Sequence, residues 1–429
     1  MNYLYLYLGL GGLVLWLYLR RQRRVEHHAV LELKDSIEKG LTEPPSLHPI
    51  VDPARCIGSG SCARACPEEA LGLVNGKAVL LNAAACIGHG ACLPACPFDA
   101  IQLVFGTERR GIDIPHISPG FETNVPGIFI AGELGGMGLI RKAVEQGRQA
   151  IQSIRQRQST EFDHDVLIVG CGPAGLSAGL SAMHHRLRYK LIEQEDSLGG
   201  AVYHYPRHKI AMTAPVELDM VGKVRFGEVQ KEKLLEFWNG VVETTKLQIG
   251  FREQMLDISP EGAGFVVTTS VGRYRTHNVL LAMGRRGTPR KLEVPGEEQP
   301  KVTYRLVDPS QFQGQSVLVV GGGDSALEAA IALADVEGTQ VILSYRSEAF
   351  SRVKQKNRLA LEERAAAGRL LVLLSSDVQE IQPKAVLISH SGQIETYPND
   401  AVIICAGGLL PTPLLKRIGI EFETKFGKS

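Results

Sequence analysis

Six of the eight cysteines lie in two twelve-residue segments that share one pattern. Residues 56–67 read CIGSGSCARACP and residues 86–97 read CIGHGACLPACP, so both segments have the spacing C-x5-C-x3-C-P. Closely spaced cysteine thiolates of this kind bind iron–sulfur clusters. In each segment two glycines flank the fourth residue, and glycine permits the tight backbone that a cluster-binding loop requires. The spacing therefore predicts one-electron redox chemistry in this part of the chain.

The two segments resemble the halves of a bacterial two-cluster ferredoxin, whose run C-x2-C-x2-C-x3-C-P sends its fourth cysteine to the other cluster. At the second cysteine of that run this chain has Ser59 in one copy and His89 in the other. The resemblance implies one site formed by Cys56, Ser59, Cys62 and Cys96, and another formed by Cys86, His89, Cys92 and Cys66. Imidazole replaces thiolate on iron in Rieske centres, whereas a serine hydroxyl is a poor ligand because it loses its proton far less readily than a thiol.

The occupancy of the two sites stays open at this stage. Three thiolates at the Ser59 site predict a [3Fe-4S] cluster or a labile [4Fe-4S] cluster, and the alternative is a ferredoxin fold that is kept for docking without its clusters. Zinc is the competing metal, but closed zinc sites usually contain C-x2-C pairs, which both segments lack. The predicted metal ligands are Cys56, Cys62, Cys66, Cys86, His89, Cys92 and Cys96.

A glycine-rich loop follows a predicted buried strand at residues 166–169. Gly170, Gly172 and Gly175 form G-x-G-x-x-G, a helix follows, and a second predicted strand ends at Glu193. This order predicts a dinucleotide site with the pyrophosphate at the helix N-terminus and the carboxylate on a ribose hydroxyl. The predicted binding residues are Gly170, Gly172, Pro173, Ala174, Gly175, Glu193, Gly199 and Gly200.

A second loop at residues 321–326 has the form G-x-G-x-x-A, which is typical of a nicotinamide nucleotide site. Where an acidic residue would select NADH, the chain has Tyr345, Arg346 and Arg352. Because arginine accommodates a 2′-phosphate, NADPH is favoured over NADH. The predicted binding residues are Gly321, Gly323, Asp324, Ser325, Ala326, Arg346 and Arg352.

The two loops, together with VLLAMGRRGTP at 279–289 and VIICAGGLLPTP at 402–413, resemble the flavoprotein family of thioredoxin reductase. Thioredoxin reductases have a C-x-x-C motif ahead of the second loop, but residues 302–328 of this chain contain no cysteine. The chain is therefore more similar to the thioredoxin-reductase-like ferredoxin–NADP reductases, which move electrons between NADPH and an iron–sulfur protein through FAD. This resemblance covers residues 163–429 and implies FAD and NADPH as cofactors.

The closing segment of that family precedes the first loop here, as FETNVPGIFIAGELGGMGLIRKAVEQGRQAI at 121–151. The chain is thus predicted to be circularly permuted, unless this segment is a linker with a chance match. A strand at 128–131 is expected beside the first FAD strand, and a helix from about Met137 is expected to point its N-terminus at the flavin. Gly132 and Glu133 are expected at the flavin, although Glu133 replaces the aspartate of the family. Because flavin N5 would carry the hydride, no side chain is predicted to be catalytic.

The N-terminus contains 17 uncharged residues, Tyr3 to Leu19, followed by RRQRR. As a helix this run is about 26 Å long, close to the lower limit for a bilayer. Arginines directly after it predict a single-pass anchor in the inner membrane, with the catalytic domains in the cytoplasm. A signal peptide and an interfacial helix are the alternatives.

The composition is that of an ordinary folded protein, with 44% hydrophobic and 22% charged residues. Because 47 basic residues balance 46 acidic ones, no nucleic-acid partner is expected. The predicted fold class is α/β, with two Rossmann-like domains, a small α+β ferredoxin-like domain and a transmembrane helix. The predicted domains are the anchor 1–24, a linker 25–50, the ferredoxin-like domain 51–104, the permuted segment 105–157, the FAD domain 163–286, the NAD(P) domain 287–400 and a return to the FAD domain at 401–429.

These elements predict a membrane-anchored, FAD-dependent NAD(P)H oxidoreductase. It would split a hydride into single electrons and pass them through the clusters to a redox protein or a quinone-linked complex, or run in reverse. The expected partners are the lipid bilayer, this unknown electron acceptor or donor, and a second copy in a homodimer. The alternatives are a non-enzymatic redox sensor or assembly factor, and a reductase of small-thiol disulfides.

Overall fold

The computed structural model describes residues 2–38, 40–44, 47–108, 111–136, 138–157, 159–205, 209–285, 289–350, 353–408 and 411–427. The chain divides into two compact units. The first comprises Met1–Ile112, Ala349–Leu359 and Lys425–Ser429, and the second comprises Asp113–Glu348 and Ala360–Thr424. The first unit contains the cysteine segments, and the second contains both glycine-rich loops.

The first unit begins with the helix α1, Asn2–Glu38, and continues with short strands and helices around the cysteine segments. Strand β1 pairs antiparallel with β4, and β2 and β3 form a hairpin. The hairpin turns at Asn75 and Gly76, which both have positive φ, as a type I′ turn requires. The remaining elements of this unit are β1 His48–Val51, α2 Ser61–Arg64, β2 Leu71–Val74, β3 Lys77–Leu80, α3 Cys92–Ala95 and β4 Ile101–Val104.

Helix α1 contacts the hairpin with its C-terminal half. Ala29 and Ser36 are buried, and the Glu26 carboxylate accepts a hydrogen bond from the Gly76 N–H at 3.3 Å. The large apolar side chains described between Tyr7 and Leu19 are exposed. The helix therefore packs against the ferredoxin-like domain through residues that follow the arginine-rich run.

Among the residues that the structure describes, no helix combines the length and the hydropathy of a bilayer span. This finding contradicts the predicted single-pass location in the inner membrane, and the transmembrane anchor and the lipid partner are not confirmed. The physical reason lies in the run itself. The run is close to the lower limit of about 17 residues for a spanning helix, and Gly9, Gly11 and Gly12 reduce its mean hydropathy.

The second unit contains one mixed sheet and one parallel sheet, and both have the parallel strands that are predicted for two Rossmann-like domains. In the first sheet the strands follow the order β13, β14, β15, β7, β8, and β6 also pairs with β15. Residues 165–169 of β7 are buried, because helices and strands cover both faces of a parallel sheet. The elements of this part are β6 Ile128–Ile130, α4 Ile140–Ile154, β7 His164–Val169, α5 Pro173–His184, β8 Tyr189–Ile192, α6 Lys231–Thr245, β13 Met255–Glu261, β14 Gly264–Thr269 and β15 Arg273–Leu281.

The segment that precedes the first glycine loop joins this sheet, which confirms the permuted order. Strand β6 is parallel to β15, with Ile128 opposite Val279, and helix α4 then packs against α5. The predicted neighbour was wrong, because β6 does not pair with the first FAD strand. Strand β7 already pairs with β15 on one edge and β8 on the other, so it has no free edge for β6.

The second sheet is fully parallel, in the order β16, β23, β17, β18, β19. Strand β23 belongs to it, so the chain does not return to the first domain at residue 401 as predicted. The return comes later, where Leu415 and Ile420 join the core of the first sheet. The elements are β16 Val302–Thr303, β17 Ser316–Val320, α7 Asp324–Ala334, β18 Gln340–Tyr345, α8 Gln355–Ala366, β19 Leu370–Leu374, β23 Ala401–Ile404 and α9 Thr412–Arg417.

Smaller sheets complete the second unit. Strands β20, β21 and β22 form an antiparallel sheet, and three two-stranded sheets join β5 to β24, β9 to β12 and β10 to β11. Their bounds are β5 Ile112–Pro115, β9 Ile210–Met212, β10 Val216–Leu218, β11 Gly222–Val224, β12 Glu228–Gln230, β20 Ser376–Ile381, β21 Ala385–His390, β22 Gln393–Pro398 and β24 Phe422–Lys425.

Candidate cluster and nucleotide sites

Two cavities lie in the dicluster domain, and each is lined by one of the predicted ligand sets. The first, which we call the serine cavity, has a volume of about 310 Å³ and is lined by Cys56, Ser59, Cys62 and Cys96. Three of these residues come from the first cysteine segment and Cys96 comes from the second. The structure therefore brings together the set that the ferredoxin resemblance implies.

The second, which we call the histidine cavity, has a volume of about 370 Å³ and is lined by Cys86, His89, Cys92 and Cys66. Here Cys66 crosses over from the first segment. The last cysteine of each segment thus lines the cavity of the other segment, which is the arrangement of two-cluster ferredoxins. The part of each residue in binding iron stays a prediction.

Glycine backbone conformations shape both cavities. Gly58, Gly60, Gly88 and Gly90 all have φ between +67° and +80°, a region that residues with a Cβ rarely adopt. At Gly58 a Cβ would lie 2.1 Å from the carbonyl oxygen of Gly76, so the loop packs directly on the turn of the hairpin. The two segments have therefore kept a common backbone although one ligand position differs.

The cysteines that line the two cavities are buried or partly buried. Burial raises the pKa of the Cys62 and Cys86 thiols, and it raises the pKa of Cys92 to about 11. A bound cation reverses this effect, because coordination deprotonates a thiol outright. The thiols surround a cavity, which is how the cysteines of an iron–sulfur cluster are arranged.

Backbone N–H groups donate hydrogen bonds to two sulfur atoms of the serine cavity. The Ala78 N–H donates to Cys56 Sγ at 3.4 Å, and the Ala100 N–H donates to Cys96 Sγ at 3.3 Å. The ammonium group of Lys77 donates to the carbonyl oxygen of Cys56 at 2.6 Å. Hydrogen bonds to cluster sulfurs help to set the reduction potential of iron–sulfur clusters.

The first glycine loop is tightly enclosed at the start of α5. A Cβ at Gly175 would lie 1.8 Å from the carbonyl oxygen of Gly170, and a Cβ at Gly170 would lie 2.8 Å from that of Ala282. Gly172 precedes the helix, which begins at Pro173 and has Ala174 in its first turn. This is the geometry that a pyrophosphate requires at a helix N-terminus, where backbone N–H groups point at the anion.

Glu193 is buried beside this loop, at the end of β8. Its carboxylate accepts hydrogen bonds from the Cys171 N–H at 2.7 Å and from the Glu195 N–H at 3.1 Å. Gly199 and Gly200 have positive φ, and a Cβ at Gly200 would lie 3.1 Å from the Cα of Gly172. The structure therefore brings all the predicted residues of the first nucleotide site together.

The permuted segment reaches the same place. Gly132 has φ of +84°, a Cβ there would lie 3.1 Å from the Cβ of Ala174, and its N–H donates to Gln146 Oε1 at 2.8 Å. Glu133 follows it and begins a short 3-10 turn. Helix α4 begins at Ile140 and packs closely on α5, since a Cβ at Gly147 would lie 2.1 Å from the Ala174 carbonyl oxygen. Met137, the predicted helix start, lies outside the described residues.

The second glycine loop has a similar enclosure at the start of α7. A Cβ at Gly321 would lie 2.4 Å from the Cys405 carbonyl oxygen, and a Cβ at Gly322 would lie 2.2 Å from the Tyr345 ring. Gly323 and Ser325 are exposed on the open side of the loop, whereas Ala326 is buried beneath it. Asp324 is the first residue of the helix.

The ring of Tyr345 therefore occupies the strand end where an acidic residue would select NADH. Arg346 is exposed next to it, and its part in binding a 2′-phosphate stays a prediction. Arg352, the other predicted arginine, lies outside the described residues.

Sequence reasoning missed three side chains at these sites. Gln146 lies on helix α4, 14 residues after Gly132, and its side-chain oxygen accepts a hydrogen bond from the Gly132 N–H. The helical sequence pattern does not predict this contact. Arg285 is half-buried, and burial lowers the pKa of its guanidinium, while Glu133 and Asp113 raise it. Glu68 lines the histidine cavity. Glu68 could have been singled out by comparing the two cysteine segments, because the second segment has Phe98 at the same position.

Comparisons with known proteins match these two parts separately. The family model described as pyridine nucleotide-disulphide oxidoreductase matches residues 167–427, and the 4Fe-4S dicluster domain matches residues 48–97. A ferredoxin–NADP reductase of Ignicoccus hospitalis is 30% identical over 272 residues, which cover 61% of this chain and 83% of that protein. A ferredoxin–NADP reductase of Streptococcus sanguinis is 34% identical over 183 residues, which cover 42% of this chain and 53% of that protein.

Solved structures show the same fold for the nucleotide-binding part. The bacillithiol disulfide reductase of Staphylococcus aureus is similar with a TM-score of 0.53 and 23% identity, over 61% of this chain and 84% of that chain. The corresponding enzyme of Bacillus cereus has a TM-score of 0.54 and 24% identity, over 60% of this chain and 81% of that chain. At these identities the likeness concerns the fold alone.

Proposed function

The chain belongs to the pyridine nucleotide-disulphide oxidoreductase family, as an FAD-dependent NAD(P)H oxidoreductase with a 4Fe-4S dicluster domain, and we propose that it exchanges electrons between NADPH and an iron–sulfur redox partner. The dicluster domain would be the internal relay. The observation that carries the proposal is the co-occurrence, in one chain, of two nucleotide loops and two cysteine-lined cavities.

The first nucleotide site would hold FAD. The N-terminus of α5 and the glycines around it would bind the pyrophosphate, and Glu193 would bind a ribose hydroxyl. Gly132 and Glu133 of the permuted segment would lie along the ribityl chain. When bound, FAD supplies the exchange between a two-electron hydride and single electrons.

The second site would hold NADPH. Gly321, Gly323, Asp324 and Ser325 would surround the pyrophosphate at the start of α7, and Arg346 would bind the 2′-phosphate. The side chains of this site bind and orient the nucleotide, and none of them is assigned a proton transfer.

The cysteines of the two cavities would bind the clusters, with His89 as the fourth ligand of the histidine cavity and an open corner at Ser59. Because the dicluster domain is part of the same chain, its concentration near the nucleotide domains is high without a binding equilibrium. The external partner is then an iron–sulfur protein, by analogy with the ferredoxin named in the related reductases. A homodimer remains a prediction.

The proposal is tested by removing the clusters while keeping the flavin. A Cys62→Ala/Cys92→Ala double variant is expected to retain FAD and to oxidise NADPH with a small artificial acceptor at the rate of the wild type. Its electron transfer to a bacterial ferredoxin is expected to fall on the order of 100-fold, because the internal relay and its high effective concentration are lost.

The control is the Cys405→Ala variant, which changes a cysteine outside the two cavities. Equal ferredoxin reduction by the double variant and the wild type would contradict the relay role. A wild-type protein that fails to oxidise NADPH with any of the artificial acceptors would favour the alternative of a redox sensor.

A further inference from the structure

The two cysteine segments have matching backbones beyond the cysteines themselves. Glu69 and Asp99 are the fourth residues of the two C-P-x-x-A sequences, and both have left-handed conformations, with φ of +51° and +47°. Glu68 and Phe98, the residues directly before them, are therefore equivalent in position. This equivalence makes a direct comparison of the two cavities possible.

Within the two cysteine segments, two equivalent positions that line the cavities carry different kinds of side chain. The histidine cavity is lined by both His89 and Glu68, whereas the serine cavity is lined by Ser59 and Phe98. A carboxylate thus lines the cavity that contains the imidazole, and a phenyl ring lines the one that does not. Glu68 directly follows Cys66 and Pro67, which line the same cavity. The chain therefore holds the Glu68 side chain close to the histidine cavity.

The Glu68 carboxylate has an unused acceptor. Its Oε1 atom is buried and has no hydrogen-bond donor among the residues that the structure describes. Buried carboxylate oxygens are costly unless they accept a hydrogen bond, so most of them do. A group in the histidine cavity could supply the hydrogen-bond donor that Glu68 Oε1 lacks.

A metal-bound imidazole is such a donor. When one ring nitrogen of histidine binds a metal, the other carries a proton and usually donates it to a carboxylate, a carbonyl group or water. This hydrogen bond fixes the tautomer and the orientation of the ring.

We propose that Glu68 is a positioning residue that accepts the N–H of His89 and holds its imidazole in the orientation that binds iron. The inference rests on the proposed cluster in the histidine cavity. It explains why the histidine and the glutamate occur together in one cavity and are both missing from the other. His48 also lines this cavity, so the experiment must distinguish the two imidazoles.

The test uses the full chain, purified under anaerobic conditions, and does not depend on activity. Pulsed EPR of the reduced cluster measures the nitrogen coupling from a bound imidazole, and a chelator measures the rate of iron loss. Glu68→Ala is expected to weaken or disperse the nitrogen coupling and to speed iron loss from the histidine cavity by roughly 10-fold or more. Glu68→Gln keeps an acceptor oxygen and is expected to behave like the wild type.

Two further variants make the test specific. Phe98→Leu, the matched change in the serine cavity, is expected to leave the nitrogen coupling unchanged. In a His89→Cys background the coupling is expected to be absent, and Glu68→Ala should then no longer speed iron loss.

Three results would overturn the proposal. One is a Glu68→Ala protein with the coupling and iron retention of the wild type, and another is a Glu68→Gln protein as impaired as Glu68→Ala. The third is coupling that persists in His89→Cys, since it would then come from His48. Iron without any imidazole coupling in the wild type would reject the role of Glu68 but leave the relay intact, whereas a wild type without iron would reject both.

Discussion

The serine cavity and the histidine cavity have the same backbone plan but different linings. Both are formed by glycines with left-handed φ, and each receives one cysteine from the other segment. Apolar side chains line most of both cavities, but the lining of the histidine cavity also includes two histidines and a glutamate, which the serine cavity lacks. The features that both cavities share are those that the fold requires, and the side chains that differ change the chemical properties of each site.

The features that recur are those for which the backbone has no alternative. A Cβ at Gly58 cannot be accommodated beside Gly76, and a cluster needs at least three thiolates near one another. The fourth ligand is less constrained, because it changes the charge and the potential of a cluster more than the path of the chain. The two sites are therefore expected to differ in iron content and in reduction potential.

The largest effect is expected from the two crossing cysteines. Cys96→Ala should empty the serine cavity and Cys66→Ala should empty the histidine cavity, because each removes one of three thiolates. Iron analysis combined with EPR should show that each variant loses the signal of the opposite segment. A Cys66→Ala protein that loses the signal of the serine cavity would contradict the crossed arrangement.

A smaller change is expected from restoring the missing cysteines. Ser59→Cys supplies a fourth thiolate, so it should add one iron per chain and remove the oxidised-state [3Fe-4S] signal. His89→Cys, the matched change, should leave the iron content unaltered because that site is already complete. An equal gain of iron in both variants, measured with the same protein assay, would show that His89 is not a ligand.

A change in stability is expected from Gly58, which lies two residues after Cys56. Gly58→Ala and Gly76→Ala both force a Cβ into a left-handed conformation, which costs about 1–2 kcal/mol. Only at Gly58 would the new atom also meet a backbone oxygen, at 2.1 Å, while the space at Gly76 is open. Urea unfolding should therefore show the greater loss of unfolding free energy for Gly58→Ala, and equal losses would argue against close packing of this loop on the hairpin.

The smallest effect is expected at Lys77, whose ammonium group donates to the Cys56 carbonyl oxygen. Lys77→Met removes a positive charge near the serine cavity, so it should lower the potential of that cluster slightly and leave the other cluster unchanged. Because Lys77 is exposed, the shift should shrink as salt is added. EPR-monitored redox titrations at two ionic strengths would measure it, and equal shifts at both clusters would contradict a local effect.

Much of this architecture could be predicted from short sequence patterns. The two glycine loops and the crossed cysteine sets are local motifs, and the pattern specifies their backbone as well as their chemistry. The permuted segment was also recognisable, because its residues keep their order although they precede the first loop. What the pattern could not specify was its neighbour in the sheet, since pairing depends on which edges are already occupied.

The remaining errors and omissions have physical causes. The N-terminal run was interpreted from its lack of charge, but among the described residues no helix combines the length and the hydropathy of a bilayer span. Gln146, Arg285 and Glu68 were missed because their partners are distant in sequence or belong to a cavity. For these residues only the three-dimensional arrangement identifies the contact.

The most direct test of the central claim is a count of iron and sulfide in the anaerobically purified full chain, with EPR spectra before and after addition of NADPH. The account predicts about seven irons per chain, an oxidised-state [3Fe-4S] signal from the serine cavity, and reduction of the clusters by NADPH. A protein that contains flavin but no iron would contradict it. Clusters that stay oxidised while NADPH reduces the flavin would contradict it as well.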